Sequence, residues 1–404
     1  PPEGGGNSTS PSHARKAGAC SPLVPSVTAA MVRKQLGRSA VQPAHVASYS
    51  RDPGTAHFKI VGHRLFAPGA AGRKRKVTEF FMYRRMLLRA LAAAPRGTIP
   101  DVEFTLQLRC QGRKGILSWC GAEGGAAMPS FHEADCGAEL SRQPLVGPWG
   151  TAGAAYQFTL HHFLQESPGA LPAWDEKRGV AAWRGACTGE GYQLAGGRYL
   201  RQPRVRVTAI SREHPELVDA ALLVSKKCAH LKGRLPPPPA GGSARITQWG
   251  FAGYKYVVDI EGDGCSGRFS KLMSLGSVVL KYFKSGRPYF LSELKPFVHY
   301  VPVKADLSDL VERVLWLQAN DDEARRIAER AEAYAREALS PAGVDCYIGR
   351  LLRAYGEVQA EKPRRIPGEK PVHDPGEGMI SFKDHKGRNV RVKCPAPRMD
   401  AGAA

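Results

Sequence analysis

No stretch of this chain reaches the ~18 consecutive apolar residues that a membrane-spanning helix needs, which argues against such a span within the sequence. Its nine cysteines include no Cys-x-x-Cys pair, which argues against a zinc ribbon. There is no Walker A run and no dinucleotide fingerprint, so neither familiar phosphate-binding signature is present. Zinc-finger spacing, heptads and aromatic-plus-basic RNA-binding motifs are also missing, and there is no internal repeat. Negative charge is in short supply: 37 acidic residues face 58 lysines and arginines, a formal net charge of +21. That excess would attract polyanions. With no nucleic-acid motif behind it, scattered arginine in an Ala-, Gly- and Pro-rich composition is the better account, and no specific nucleic-acid partner is expected.

What is present is an ordinary globular composition, 43% hydrophobic and 24% charged over 404 residues, enough for two domains. The odd number of widely spaced cysteines suits either disulfides in an oxidising lumen or buried thiols. The chain opens on Pro1-Pro2-Glu3 rather than methionine, so the natural start is expected to be missing, and a signal peptide or membrane anchor could have been removed with it.

Residues 1–45 are rich in Gly, Ser, Pro and Ala without periodicity and read as a disordered tail. Alternating strands are expected at 57–61 and 102–108, with a helix at 78–91. A short apolar strand at 180–183 feeds Arg184-Gly185, and Leu235-Pro-Pro-Pro-Pro reads as a linker. Tight α/β alternation follows, with strands at 256–260, 277–281 and 300–303 and a short helix at 269–273. Asp306 is expected to cap one helix, and Asn320 with Glu323 to form a capping box on the next. A last helix is expected at 345–355, then a basic tail over 361–404 with a hairpin near 383–388.

The turn Glu261-Gly-Asp-Gly-Cys-Ser-Gly-Arg268 follows a strand and opens a helix. Its glycines permit close approach to a ligand, backbone N–H groups gather at a helix start, and Arg268 offers a guanidinium fork. By spacing alone, an ordinary strand-to-helix corner and a phosphate cradle are equally compatible with it. His299 suits a hydrogen-bonded structural role better than a general base, and the adjacent His161 and His162 could not share a metal from one helix.

Taken in order, Trp183-Arg-Gly185, Ser211-Arg-Glu-His-Pro-Glu-Leu-Val-Asp-Ala220, Tyr254-Lys-Tyr256, Ser266-Gly-Arg268, Leu275-Gly-Ser277, Leu294-Lys-Pro-Phe-Val-His-Tyr-Val-Pro-Val303, Asp306-Leu307, Asn320-Asp321 and Cys346-Tyr347 carry a resemblance. The chain resembles the protein O-glucosyltransferases and fungal capsule-associated xylosyltransferases of glycosyltransferase family 90.

That resemblance implies an α/β protein of two Rossmann-like lobes facing a cleft, the GT-B arrangement. The acceptor-side lobe would span about 50–210 and the nucleotide-sugar lobe about 211–360. It implies an inverting, metal-independent transferase with no cofactor, moving glucose or xylose from a uridine diphosphate (UDP) sugar to a protein or polysaccharide hydroxyl. Residence in the endoplasmic reticulum or Golgi lumen is implied likewise. The donor would be held by Arg184, Gly185, Arg204, Asp263, Gly264, Cys265, Ser266, Gly267 and Arg268, with Ala186 where the family often has a donor-contacting serine. The family places its base aspartate after an arginine, but here Arg109 is followed by Cys110. Substitute bases would be His132, Glu133 or Asp135; otherwise the chain is a catalytically impaired relative that binds glycan or protein.

Overall fold

The computed structural model describes residues 20–36, 40–50, 55–67, 77–107, 117–118, 170–188, 192, 195–224, 226–231, 233–235, 246–262, 266, 268–283, 288–372, 378–383 and 389–394. It is an α/β structure with two main sheets. In the first, β1 (Thr55–Val61), β2 (Arg64–Phe66), β3 (Val102–Gln107) and β4 (Leu117–Ser118) lie in the order β2-β1-β3-β4. β1 runs antiparallel to both neighbours. For β2 the reason is local: Gly62 and His63 both have positive φ, 57° and 63°, the backbone of a two-residue hairpin turn whose twist matches the strands. These strands therefore do not form the parallel Rossmann-like unit expected for the first lobe.

Alternation sets the faces of this sheet. Ala56, Phe58 and Ile60 of β1 and Val102, Phe104 and Leu106 of β3 are all buried. Phe58 and Phe104 are paired across the strands at 5.8 Å between ring centroids, and Phe104 meets Tyr355 of the helix Pro341–Gly356 at 6.0 Å. On the opposite face Thr105 donates to the Val46 carbonyl (3.1 Å), and Lys59 pairs with Glu369 at 2.5 Å.

The second sheet comprises β5 (Arg178–Ala186), β6 (Val218–Leu223), β7 (Tyr254–Ile260), β8 (Val278–Tyr282) and β9 (Val301–Pro302). All pairs are parallel, in the order β6-β5-β7-β8-β9. Ala181, Trp183, Tyr256, Val258, Val278 and Leu280 share one core with Val205 and Val207 of the helix Pro203–Glu213 and Leu310 and Val314 of the helix Leu310–Ala319. Ala182, Val257 and Val279 belong to the other, with Phe269, Leu272 and Met273 of the helix Phe269–Met273. Parallel strands covered on both faces read as near-continuous apolar runs, as these do. The helix Asp321–Ala338 serves both cores, through Ala324, Ile327 and Ala328 and then through Ala331, Tyr334, Ala335 and Ala338.

Several expectations differ from what is observed. The boundary at 210 puts β5 in the first lobe, yet β5 hydrogen-bonds to β6 and β7, so its sheet begins near residue 178. The tail read as disordered over 1–45 contains the helix Ala29–Leu36, with Val24, Val32 and Leu36 buried, and Cys20 is disulfide-bonded to Cys346. That cross-link, 326 residues apart in sequence, fastens a weakly patterned segment to the core. In the tail from 361, Glu369 pairs with Lys59, and the strands β10 (Gly378–Lys383) and β11 (Asn389–Cys394) form the antiparallel hairpin expected around 383–388. The Asn320 capping box is not made, because the Asn320 amide donates backwards to the Trp316 carbonyl (2.8 Å). The last helix starts at Pro341 rather than 345, capped by Ser340, whose hydroxyl accepts from the Gly343 amide at 3.1 Å. The linker residues 236–242, the hairpin turn 384–388 and His161-His162 lie outside the described residues.

Candidate functional site

Numbered within its own sheet, the parallel order is 2-1-3-4-5. β5 crosses to β6 through the helix Pro203–Glu213 on one face, while β7 crosses to β8 through Phe269–Met273 on the other. The chain therefore parts in opposite directions after β5 and after β7. A sheet wound this way usually binds its ligand in a crevice beyond the carboxyl ends of those two strands.

The crevice floor is held by Arg204, in the first turn of the helix that Pro203 begins. Its Nε donates to the Glu261 carbonyl (3.2 Å), Nη1 to Ala186 (2.9 Å) and Nη2 to Ile260 (2.7 Å), with the guanidinium 5.7 Å from the Trp183 ring centroid. One cation thus ties the ends of β5 and β7 together. The fit requires glycine on both sides: a Cβ at Gly185 would strike Trp183, and one at Gly262 would strike the Thr188 hydroxyl.

Arg268 enters from the far end of the glycine-rich turn and is buried. Its Nη1 donates to the Arg184 carbonyl (2.7 Å), and Nη2 lies 3.5 Å from Asp259 Oδ1 with no hydrogen bond among the described residues. Ser266 donates to the same Asp259 oxygen at 2.7 Å, folding the turn back over β7. The helix that follows has only five residues and no side-chain cap. Its dipole is correspondingly short, so positive potential here comes chiefly from arginine rather than from the helix start proposed on sequence grounds.

Beneath the turn lies a charged group that sequence reasoning passed over. Asp259 and Lys281 are register partners on β7 and β8, both fully enclosed. Lys281 Nζ reaches Asp259 Oδ2 (3.1 Å), Glu261 Oε1 (3.2 Å) and the Tyr282 carbonyl (3.0 Å). Burial alone would raise the Asp259 carboxyl, but the charges of Lys281 and Arg268 and the Ser266 hydrogen bond outweigh it and hold its pKa below the ordinary value. The available signal was a charge inside each of two apolar strand runs, Val257-Val258-Asp259-Ile260 and Val279-Leu280-Lys281, where an unpaired charge would be costly.

The Arg184 guanidinium is directed onto Asp219, meeting Oδ1 and the backbone carbonyl, each at 2.7 Å. Asp219 also accepts from Tyr254 (2.7 Å) and Arg178 (3.3 Å). Burial pushes its carboxyl upward, yet hydrogen bonds from Tyr254 and Arg184 and the charges of Arg184 and Arg178 prevail, leaving a lowered pKa. A depressed carboxylate pKa stabilises the fold above the unfolded pKa, and that contribution is lost as pH falls through the folded one. Asp219's share is therefore complete above about pH 5 and disappears as pH falls below the ordinary 3.8. Asp219→Asn is expected to flatten the acid limb of the stability profile; parallel acid limbs in wild-type and variant melts would count against this assignment.

The structure thus brings Gly185, Arg204, Ser266, Arg268 and the Arg184 carbonyl together at the ends of β5 and β7, while the Arg184 side chain pairs with Asp219. Asp263, Gly264, Cys265, Gly267, Cys110, His132, Glu133 and Asp135 lie outside the described residues. His299 sits before β9, where its Nδ1 accepts from the Lys295 amide at 3.1 Å, a structural role. Asp306 accepts from the Ser308 amide (3.1 Å) in the turn ahead of the helix, which starts at Leu310. At the amino ends of the strands, away from the crevice, Lys177 donates to the Ala252 and Leu275 carbonyls (2.9 and 2.8 Å), and burial lowers its pKa to about 8.

The sequence model of the family described as Glycosyl transferase family 90 matches residues 37–393. Among curated proteins, the chain is 28% identical over 351 residues to Protein O-glucosyltransferase 3 of Mus musculus, covering 83% of this chain and 62% of that protein. It is 26% identical over 293 residues to Protein O-glucosyltransferase 2 of Danio rerio, with 70% and 52% covered. To Protein O-glucosyltransferase 1 of Homo sapiens it is 33% identical over 225 residues, with 56% and 53% covered. The chain spans about three fifths of the length of the first of these relatives.

Proposed function

This chain belongs to Glycosyl transferase family 90, and from that premise we propose that it transfers glucose or xylose from a UDP-sugar to a hydroxyl of a protein or glycan acceptor. The observation that carries the reading is the crevice where β5 and β7 part, floored by Arg204 and flanked by Arg268 and a glycine-rich turn. The donor's diphosphate would lie against that turn, with Arg268 and the backbone amides facing its oxygens.

As the acceptor oxygen attacks the sugar's anomeric carbon from the face opposite the diphosphate, a base takes its proton, the carbon–oxygen bond to phosphate breaks, and configuration inverts. Negative charge builds on the departing diphosphate, where preset guanidinium groups stabilise it, so no metal or cofactor is invoked. The base would come from the acceptor side, in the segment holding Cys110, His132, Glu133 and Asp135. A lumenal site in the secretory pathway would suit the two disulfides, Cys20–Cys346 and Cys187–Cys228.

The test is a panel of UDP-sugars, with UDP release measured beside protein and polysaccharide acceptors and a Cys110→Asp variant run in parallel. Release from UDP-glucose or UDP-xylose is expected. Binding of UDP with no turnover by either form would instead favour a catalytically impaired relative that binds glycan or protein. A well-folded chain that binds none of these nucleotides would overturn the reading.

A further inference from the structure

The two carboxylates under the glycine-rich turn, Asp259 and Glu261, are the wrong sign for a site that receives a diphosphate. Both are enclosed, and Asp259 already stands 3.5 Å from Arg268, the guanidinium nearest the turn. Left alone, they would repel the ligand and compete with it for Arg268.

We propose that Lys281 is a positioning residue for the donor diphosphate: by neutralising Asp259 and Glu261 it keeps the Arg268 guanidinium available to the ligand. This rests on the reading of the crevice as a nucleoside-diphosphate site. Lys281 donates to Glu261 and to the Tyr282 carbonyl, at 3.2 and 3.0 Å, and its ammonium stands 3.1 Å from Asp259 Oδ2 as an ion pair. Rings close the remaining sides, Phe283 at 4.6 Å and Phe269 at 5.4 Å from Nζ to centroid. With little water inside, the charges couple strongly. In this arrangement Arg268 makes its 2.7 Å hydrogen bond to the Arg184 carbonyl and only a long contact to Asp259. Remove the ammonium, and Asp259 is left, among the described residues, with Ser266 and Arg268; Arg268 is then drawn down onto Asp259 and away from the crevice.

The experiment is calorimetric titration of the full chain with UDP, in the wild type, in Lys281→Gln and in Lys281→Gln combined with Asp259→Asn. Loss of an adjacent opposite charge is worth one to three pKa units; about one unit of it spent on Arg268 weakens UDP binding about tenfold. Lys281→Gln should show that loss, and adding Asp259→Asn, which removes the competitor, should restore binding to within about threefold of wild type. A purely structural lysine would not be rescued in this way. The inference is overturned if Lys281→Gln binds UDP as the wild type does, or if the double variant is folded by circular dichroism yet binds no better than the single. Should Lys281→Gln fail to fold, the double variant carries the test alone and must bind within the same threefold; unfolding of both overturns the proposal by making the network a stability element only. A folded wild-type chain with no affinity for UDP would instead remove the donor-site reading on which this one stands.

Discussion

Arg268→Ala is expected to weaken UDP binding and lower turnover together, by about a hundredfold in turnover, while leaving the fold near its wild-type stability. The asymmetry follows from its neighbours. Among the described residues its side chain donates one hydrogen bond, to the Arg184 carbonyl, and has a 3.5 Å contact with Asp259. Asp259 keeps Lys281 and Ser266 after the truncation, so no buried carboxylate is stranded. What is lost is a preset guanidinium facing the turn, and such a group contributes most when charge develops on a leaving diphosphate. Arg268→Lys should recover little, since an ammonium cannot reproduce the fork. The measurements are UDP titration, UDP release and thermal melting of the same preparations. Wild-type turnover in Arg268→Ala would sink the donor-site assignment.

For Arg204→Met the expectation is reversed: stability falls first, by about 3 kcal/mol, and donor affinity falls as a consequence. All three side-chain nitrogens of Arg204 donate to carbonyls at the ends of β5 and β7, at 2.7 to 3.2 Å. Removing them leaves enclosed acceptors unpaired and frees the loops that shape the crevice. The resemblance assigns Arg204 to the diphosphate; its contacts show a clamp on the floor beneath the turn. Denaturant unfolding and UDP titration separate the two roles. A folded Arg204→Met of wild-type stability with only a binding defect would mean that the clamp contributes nothing to stability.

Much of the second sheet was legible because periodicity alone determines it. Strands at 256–260 and 277–281 and the short helix at 269–273 came within one or two residues of their observed bounds. The helix Pro203–Glu213 and strand Val218–Leu223 were not named, since the first interleaves arginines with its apolar positions and the second is short. Two strands of the first sheet, β1 and β3, were legible, but β2 and its antiparallel pairing with β1 were not, because they depend on the backbone of Gly62 and His63. The ordered segment near residue 20 was missed because a disulfide to Cys346 holds it, and a cross-link of that span leaves no local pattern.

The glycine-rich turn, its arginine and the apolar strands around it follow from the sequence itself, because glycine spacing and side-chain alternation act over a few residues. Their grouping into one site was decided by tertiary structure. Strand order placed the loops after β5 and β7 beside each other, 75 residues apart in sequence if counted from Ala186 to Glu261. Register then set Lys281 against Asp259. Such pairings depend on which strands lie side by side, and no window of sequence carries the electrostatic balance they create.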